Sequence, residues 1–426
     1  MLSTLRNAWK VPELRKKFIW TIFLVAIFRL GTQIPLPGID TSFLKQLTES
    51  GSLLGFYDLI SGGAFSQFSI LALGVMPYIN ASIIMQLLTI AVPYLEDLQK
   101  EGQEGRKKIQ NATRYLSLAI AVIIGIGTLF TIANNGGVSG LGKFDMGVIV
   151  FSLVVGSTFC IWLGDQITVK GFGNGTSILI FVNIVSRVPQ TIAQLYSSYK
   201  VAETISIVEL VLFIVGVLVL LLACIYFSLA ERKVPVQYAG KAMGNKMMKA
   251  QSSHIPFSII SAAVIAIIFA MSVMGFPEVL ANFFPKNSVL KVLTTGEFSP
   301  FNRSSWVYVV VYAILTVFFT WFYNEVTLKP EEMAENLNKS AGFVPGVRPG
   351  EETEKYFERI LARISFIGGV FAAILAIIPI LIGQYSNFKN MSFGATALLI
   401  VIGVALDFNR RLESQMVVRH YEGFLK

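Results

Sequence analysis

The side chains that nucleophilic or acid–base chemistry would draw on are few in this chain of 426 residues: two histidines, two cysteines and a serine set between glycines. Gly137-Val138-Ser139-Gly140 has the GxSG spacing of intramembrane serine proteases, whose serine needs a base within hydrogen-bond reach. The histidines, His254 and His420, are separated from it by odd numbers of apolar runs, which puts them on the opposite face of any bilayer those runs cross. Gly164-Asp165 lacks the preceding glycine of the aspartyl-type membrane proteases. Gly171-Phe172-Gly173-Asn174-Gly175 is not GxGxxG and no strand precedes it, so it reads as a turn and helix start rather than a phosphate cradle. Cys160 and Cys224 lie inside apolar runs and read as small buried hydrophobes. The expectation is no catalysis, no metal site and no cofactor.

The elements that would position any functional side chain are apolar. Hydrophobic residues make up 54% of the chain and charged ones 14%, with a mean hydropathy of +0.64, far from the composition of a water-soluble domain. Ten runs have the length of a membrane span: 18–34, 70–92, 115–132, 146–163, 176–196, 205–229, 256–277, 306–328, 364–382 and 393–408. Residues 53–68 form a shorter, re-entrant extra. In 61–88 a polar start bearing Gly62, Gly63, Ser66 and Gln67 runs into an uncharged apolar stretch loosened by Gly74 and Pro77. Such breaks persist in a bilayer only where protein or a water-filled cavity satisfies the freed backbone, so this stretch is expected to line a cavity.

The formal net charge of +9 follows topology. With the N-terminus inside, lysine and arginine are biased roughly three to one toward inward segments, and both termini are predicted cytoplasmic. Lys45, Lys143, Arg187, Lys200, Lys286, Lys291, Arg303 and Lys389 are assigned outward. The long inward loops at 96–108, 231–249 and 329–359 mix charge with glycine and proline and could dock a protein; as solvated connectors they would only set orientation. Arg29, Asp165, Glu209, Glu325 and Asp407 fall near span ends, where snorkelling or local pairing accounts for them. Division near residue 200 leaves five spans in each half, 1–200 and 201–426. An odd number inverts the second half relative to the first, a layout of transporters and channels.

Several stretches together resemble the SecY family, the channel subunits of the bacterial Sec translocon: FRLGTQIPLPGID (28–40), SGGAFSQFSILALGVMPYINASIIMQLL (61–88), EGQEGRKK (101–108) with TRY (113–115), WLGDQIT (162–168), KGFGNGTSILIF (170–181), VPVQYA (234–239), AENLNKSAGFVPGVRPG (334–350) and RHYEGF (419–424). The match runs through essentially the whole chain in the family's order. It implies an all-α membrane protein of ten transmembrane helices in two inverted five-helix halves, with a short re-entrant plug helix.

Carried over by position, the resemblance implies a plug made of Leu59, Ile60, Ser61, Gly62, Gly63, Ala64, Phe65, Ser66, Gln67 and Phe68, and a pore ring of Val75, Ile79, Thr176, Ile180, Ile268 and Ile400. Val75 with Ile79 and Thr176 with Ile180 are i, i+4 pairs, so each projects from one helix face. Aliphatic side chains grip no particular residue of a passing polymer, and a narrow hydrophobic constriction resists water and ions by dewetting. The implied lateral gate holds Asn80, Ile83, Ile260, Ala263 and Ala266, and the implied contacts with the SecA motor or the ribosome are Arg106, Lys107, Lys108, Arg232, Lys233 and Arg348. The chain departs from the family where its seventh span usually carries Asn, Gly and Pro; Ile260, Ala263 and Ala266 stand there, and losing the proline restores a backbone hydrogen bond. Thr176 and Asn80 add polarity to ring and gate.

The implied activity is a protein-conducting channel that passes unfolded secretory chains across the bacterial cytoplasmic membrane and releases hydrophobic helices into its lipid. The implied partners are SecE, SecG, SecA, the ribosome, signal peptides and preproteins, with ATP used by SecA and no direct small-molecule substrate. Without the resemblance, the span layout also fits a small-solute transporter, against which stands the lack of a mid-membrane carboxylate. A membrane enzyme is disfavoured by the missing base.

Overall fold

The computed structural model of the chain describes residues 9, 11–39, 44, 58, 60–134, 142–200, 206–238, 242–243, 246–247, 251–258, 263–283, 292–294, 296–302, 305–385 and 394–422. Its elements in chain order are α1 (Pro12–Gly31), α2 (Met76–Ala91), α3 (Pro93–Lys100), α4 (Gln103–Asn134), α5 (Lys143–Lys170), α6 (Gly175–Lys200), α7 (Ile207–Leu229), β1 (Glu231–Tyr238), β2 (Ala242–Met243), β3 (Lys246–Met247), β4 (Gln251–Ser258), α8 (Ala263–Phe283), α9 (Trp306–Leu328), α10 (Pro330–Lys339), β5 (Gly342–Phe343), α11 (Glu351–Tyr385) and α12 (Gly394–Glu422). Each of the ten expected spans overlaps one long helix among the described residues.

Helix ends follow local chemistry. Prolines stand in the first turns of α1, α2, α3 and α10, where the missing N–H costs no hydrogen bond. Pro93 begins α3 at a bend of 99° from α2. Residues 70–75 form turns, so α2 starts later than the expected 70, after Gly74 at φ +52°. Ser206 accepts from Glu209 N at 3.2 Å while Glu209 Oε2 accepts from Ser206 N at 2.9 Å, a reciprocal cap at the start of α7. Among the described residues six helical stretches are long and apolar enough to cross a membrane, or seven if the bent α2–α3 pair is one span. The chain is a multi-pass membrane protein. Large aliphatics on α7 such as Leu212, Leu218 and Leu222 are exposed, as lipid contact requires.

A small sheet, ordered β4-β1-β5, interrupts the all-helical pattern. In β1, Val234 and Val236 point inward, and β4 pairs antiparallel with it, Val234 opposite Ile255 and Arg232 opposite Phe257. The seventh span therefore does not begin at 256 as expected: Pro256, Phe257 and Ser258 belong to β4, because this apolar stretch alternates and Phe257 is buried beside Phe357 of α11. A shared core of Val234, Val236, Phe257, Leu337, Val344 and Phe357 joins the sheet to α10 and α11. Elsewhere α9 packs on α11 and α8, α4 on α2 and α5, and α12 on α6 and α7.

Candidate channel site

The expected ring residues come from four helices. Val75 is the residue before α2, and its carbonyl accepts from Ile79 N at 3.1 Å, so the two share a face. Ile180 sits in α6, whose start is built by the glycine-rich turn. Asn174 Oδ1 accepts from Thr176 N at 3.1 Å and from Ser177 N at 3.3 Å, and Gly175 N donates to Thr168 Oγ1 at 2.8 Å. The 171–175 segment is thus a turn and helix cap. A Cβ on Gly175 would strike the Gly164 carbonyl, so glycine lets α6 start hard against α5. Ile268 is on α8 and Ile400 on α12.

Val75, Ile180, Ile268 and Ile400 are all buried and belong to one apolar cluster, against which Ile79 packs. Thr176 is half-buried one turn before Ile180. The five aliphatic residues of the expected ring thus lie in or against one large apolar cluster, to which helices from both ends of the chain contribute.

The expected plug residues divide between two apolar clusters. Leu59 is outside the described residues; Ile60 is in the same apolar cluster as the ring, while Phe65 and Phe68 join a second cluster with Leu73, Leu129 and Leu153. Ala64 is buried and Gln67 half-buried. The segment is not a helix beyond Ser61: residues 62–68 are turns. Gly62 and Gly63 adopt φ of +69° and +90°, and Phe68 adopts +45°, left-handed conformations that end a helix. Beyond the turns, Leu36 N donates to Phe68 O at 2.9 Å and Ile70 N to Ile34 O at 3.0 Å, pinning the segment to the loop after α1.

Polar groups hold the other face of this segment, and sequence reading missed them. Asp58 is buried and ion-paired with Arg187, and Asn183 Nδ2 donates to Ile60 O at 2.7 Å. Arg187, counted outward by the charge distribution, lies within α6, twelve residues past its start. Its position inside the apolar run 176–196 was the available signal. Arg29, expected to snorkel or to pair locally, reaches Gly62 O at 3.3 Å and Asn183 Oδ1 at 3.4 Å. Local pairing does account for Asp165, 2.7 Å from Arg114, and Asp407, 2.8 Å from Arg411.

At the expected gate, Asn80 of α2 faces Ser272 of α8 at 3.5 Å, and α8 also packs on α4. Ile83 and Ala266 are buried. Ala263 opens α8, whereas Ile260 lies outside the described residues. The seven GxSG-flanking and serine positions at 135–141 lie outside them as well.

The expected docking residues are exposed. Arg106, Lys107 and Lys108 lie in the first turns of α4, with Lys108 Nζ 3.4 Å from Glu101. Arg232 and Lys233 are on β1. Arg348 follows β5, and its carbonyl accepts from Thr353 Oγ1 at 2.8 Å. Because β5 pairs with β1 through Gln237 and Phe343, the Arg232 and Arg348 regions ride on one unit. There Lys355 holds the Glu351 carboxyl below its usual range by a hydrogen bond, keeping a mixed-charge rim.

These elements define a multi-pass helical membrane protein in which helices far apart in sequence share one apolar core. The SecY family model matches residues 69–409. The chain is 39% identical to the protein translocase subunit SecY of Aquifex aeolicus, with all of both chains covered. It is 37% identical to that of Bacillus subtilis, again over both full lengths. The chain belongs to the SecY family, and is a channel subunit rather than a catalyst. Its fold is also that of solved structures described as a protein conducting channel (TM-score 0.66, 16% identity, 97% of each chain covered) and as Sec61 in a canine ribosome-channel complex (TM-score 0.61, 17% identity, 97% of each).

Proposed function

We propose that this chain conducts unfolded secretory polypeptides across the bacterial cytoplasmic membrane and releases hydrophobic helices sideways into lipid between α2 and α4 on one side and α8 and α9 on the other. The presence of Val75, Ile79, Ile180, Ile268 and Ile400 in or against one apolar cluster carries the reading. An apolar collar yields to any side chain because dispersion and burial are non-directional, and it closes to ions by excluding water. Thr176 extends the collar by one turn. The segment Leu59 to Phe68 is the stopper that must leave before a chain can pass.

The halves 1–200 and 201–426 act as two bodies that part at the seam, with both termini in the cytoplasm. Apolar spans gain little from each other beyond what lipid offers, so Asn80, Ile83, Ile260, Ala263 and Ala266 can separate and re-form. Arg106, Lys107, Lys108, Arg232, Lys233 and Arg348 receive SecA or the ribosome. Arginine suits both partners through bidentate pairing with carboxylate and phosphate. SecE and SecG complete the complex, and signal peptides of preproteins open it. SecA consumes the ATP; this chain holds no cofactor.

The test is protection of a preprotein from added protease in vesicles containing this chain with SecE and SecG. Protection that needs SecA and ATP is the expected result. Its absence with an assembled complex and a transport-competent preprotein would overturn motor-driven transport.

A further inference from the structure

The stopper segment carries a polar face that an apolar seal does not use. Asp58 is 1% exposed, and a carboxylate so desolvated needs partners. Its Oδ1 accepts from Ser66 N at 2.7 Å, and its Oδ2 pairs with the Arg187 guanidinium of α6. One turn earlier on α6, Asn183 takes the Ile60 carbonyl with its amide N–H at 2.7 Å. Arg29, at the end of α1, donates to the Gly62 carbonyl and to Asn183 Oδ1. The fit is close: a Cβ on Gly62 would stand 2.7 Å from Asn183 Oδ1 and 2.8 Å from Arg29 Nη1.

We propose that Arg187, Asn183 and Arg29 are positioning residues of the seal, a clasp that holds the stopper through Asp58 and two backbone carbonyls and must be undone before the channel opens. The inference rests on the channel reading above. Apolar contacts of Ile60, Phe65 and Phe68 favour burial but fix no register. Charge-assisted hydrogen bonds are directional and define one seated position. The clasp draws on two helices, α1 and α6, so a shift of either relative to the other loosens it. Removing one member of the Asp58–Arg187 pair leaves the other charge desolvated and alone, which costs more than the pair's net worth.

The test measures resting ion conductance of the assembled complex in planar bilayers, beside ATP-driven transport per assembled complex in vesicles. Asp58→Asn and Arg187→Gln are each expected to raise resting conductance about tenfold or more, and the double variant to be no leakier than the worse single. Transport per complex is expected to rise, since opening now costs less; damage to the fold would lower it. Gly62→Ala keeps every charge and wedges the clasp apart sterically, so it raises the same leak and tests the proposal even where the charge variants do not assemble. Unchanged resting conductance in all three, a double-variant leak equal to the product of the single effects, or reduced transport beside the leak would overturn the clasp. The wild-type complex holding an arrested preprotein separates the two readings. Ion conductance there supports the channel, whereas silence would sink the channel reading itself.

Discussion

Ser272 Oγ of α8 lies 3.5 Å from Asn80 Oδ1 of α2, a polar contact between elements far apart in sequence on the seam proposed to open. At this length the bond is weak, and interhelical hydrogen bonds in membranes average about 0.6 kcal/mol. Ser272→Ala is therefore expected to ease parting of the seam only about threefold. The fraction of a marginally hydrophobic test helix released into lipid would rise accordingly. A fall would mean that the pair helps the helix out rather than holding the seam shut.

Ile180 is buried in the large apolar cluster and Ile79, half-buried, packs against it. Changing both to asparagine introduces polar groups that water can solvate, and unpaired burial of each would cost about 1–3 kcal/mol. The constriction wets instead. Resting ion conductance of the assembled complex is expected to rise at least about tenfold. No change would remove both residues from the ring.

The ring and the clasp differ in how far sequence could reveal them. Val75 with Ile79 and Thr176 with Ile180 are helix-spaced pairs, and the glycine-rich turn before Thr176 advertises where α6 starts. Nothing local links Asp58 to Arg187, because their contact spans 129 positions. The β1–β4 pairing was hidden differently. Ile255, Pro256 and Phe257 adjoin an apolar run, and only the partner strand shows that they alternate rather than enter the membrane. Within the expected plug, helix ends at Ser61, and Gly62 follows with a left-handed backbone at which a Cβ would stand against Arg29 and Asn183.

Gly156 of α5 lies directly against the Ile70 carbonyl, and a Cβ there would collide with backbone rather than with a flexible side-chain end. Its neighbour Ser157 donates to the Gly74 carbonyl at 3.0 Å. Together they seat the turns that connect the stopper to Val75. Gly156→Ala is expected to destabilise the protein by about 1–3 kcal/mol through overpacking and to shift residues 70–74. Thermal unfolding in detergent would register the loss, and an unchanged midpoint would show that α5 can retreat without cost.

Asn324 of α9 donates to Ser365 Oγ of α11 at 2.9 Å, with both residues at most 2% exposed. Ser365→Ala leaves the amide without this partner inside a helix contact, where the loss is about 1 kcal/mol and reaches about 1.7 kcal/mol at most for comparable membrane pairs. Asn324→Leu with Ser365→Ala removes both polar groups and is expected to recover part of that loss. Denaturant unfolding of the purified protein checks the order. A double variant less stable than Ser365→Ala would mean that shape at this contact outweighs the hydrogen bond.

Arg348 is exposed beside Glu352, Tyr356 and Arg359, which line a shallow polar cleft with it. Its backbone is held by Thr353 at the start of α11, so the guanidinium is presented from a fixed loop while its own charge is free of any ion pair among the described residues. A positioned arginine can take a carboxylate in a bidentate pair, which lysine cannot copy. Arg348→Glu reverses that charge and sets like charges together at the interface, at a cost of several kcal/mol. SecA-driven transport is expected to fall at least about tenfold, with Arg348→Lys intermediate. Resting conductance should not follow, since the ring is built by other helices. Protease protection of a preprotein in vesicles, run beside the bilayer measurement, checks both halves. An unchanged transport rate in Arg348→Glu would remove this residue from the motor-facing surface, whereas a matching rise in leak would move its role to the closed pore.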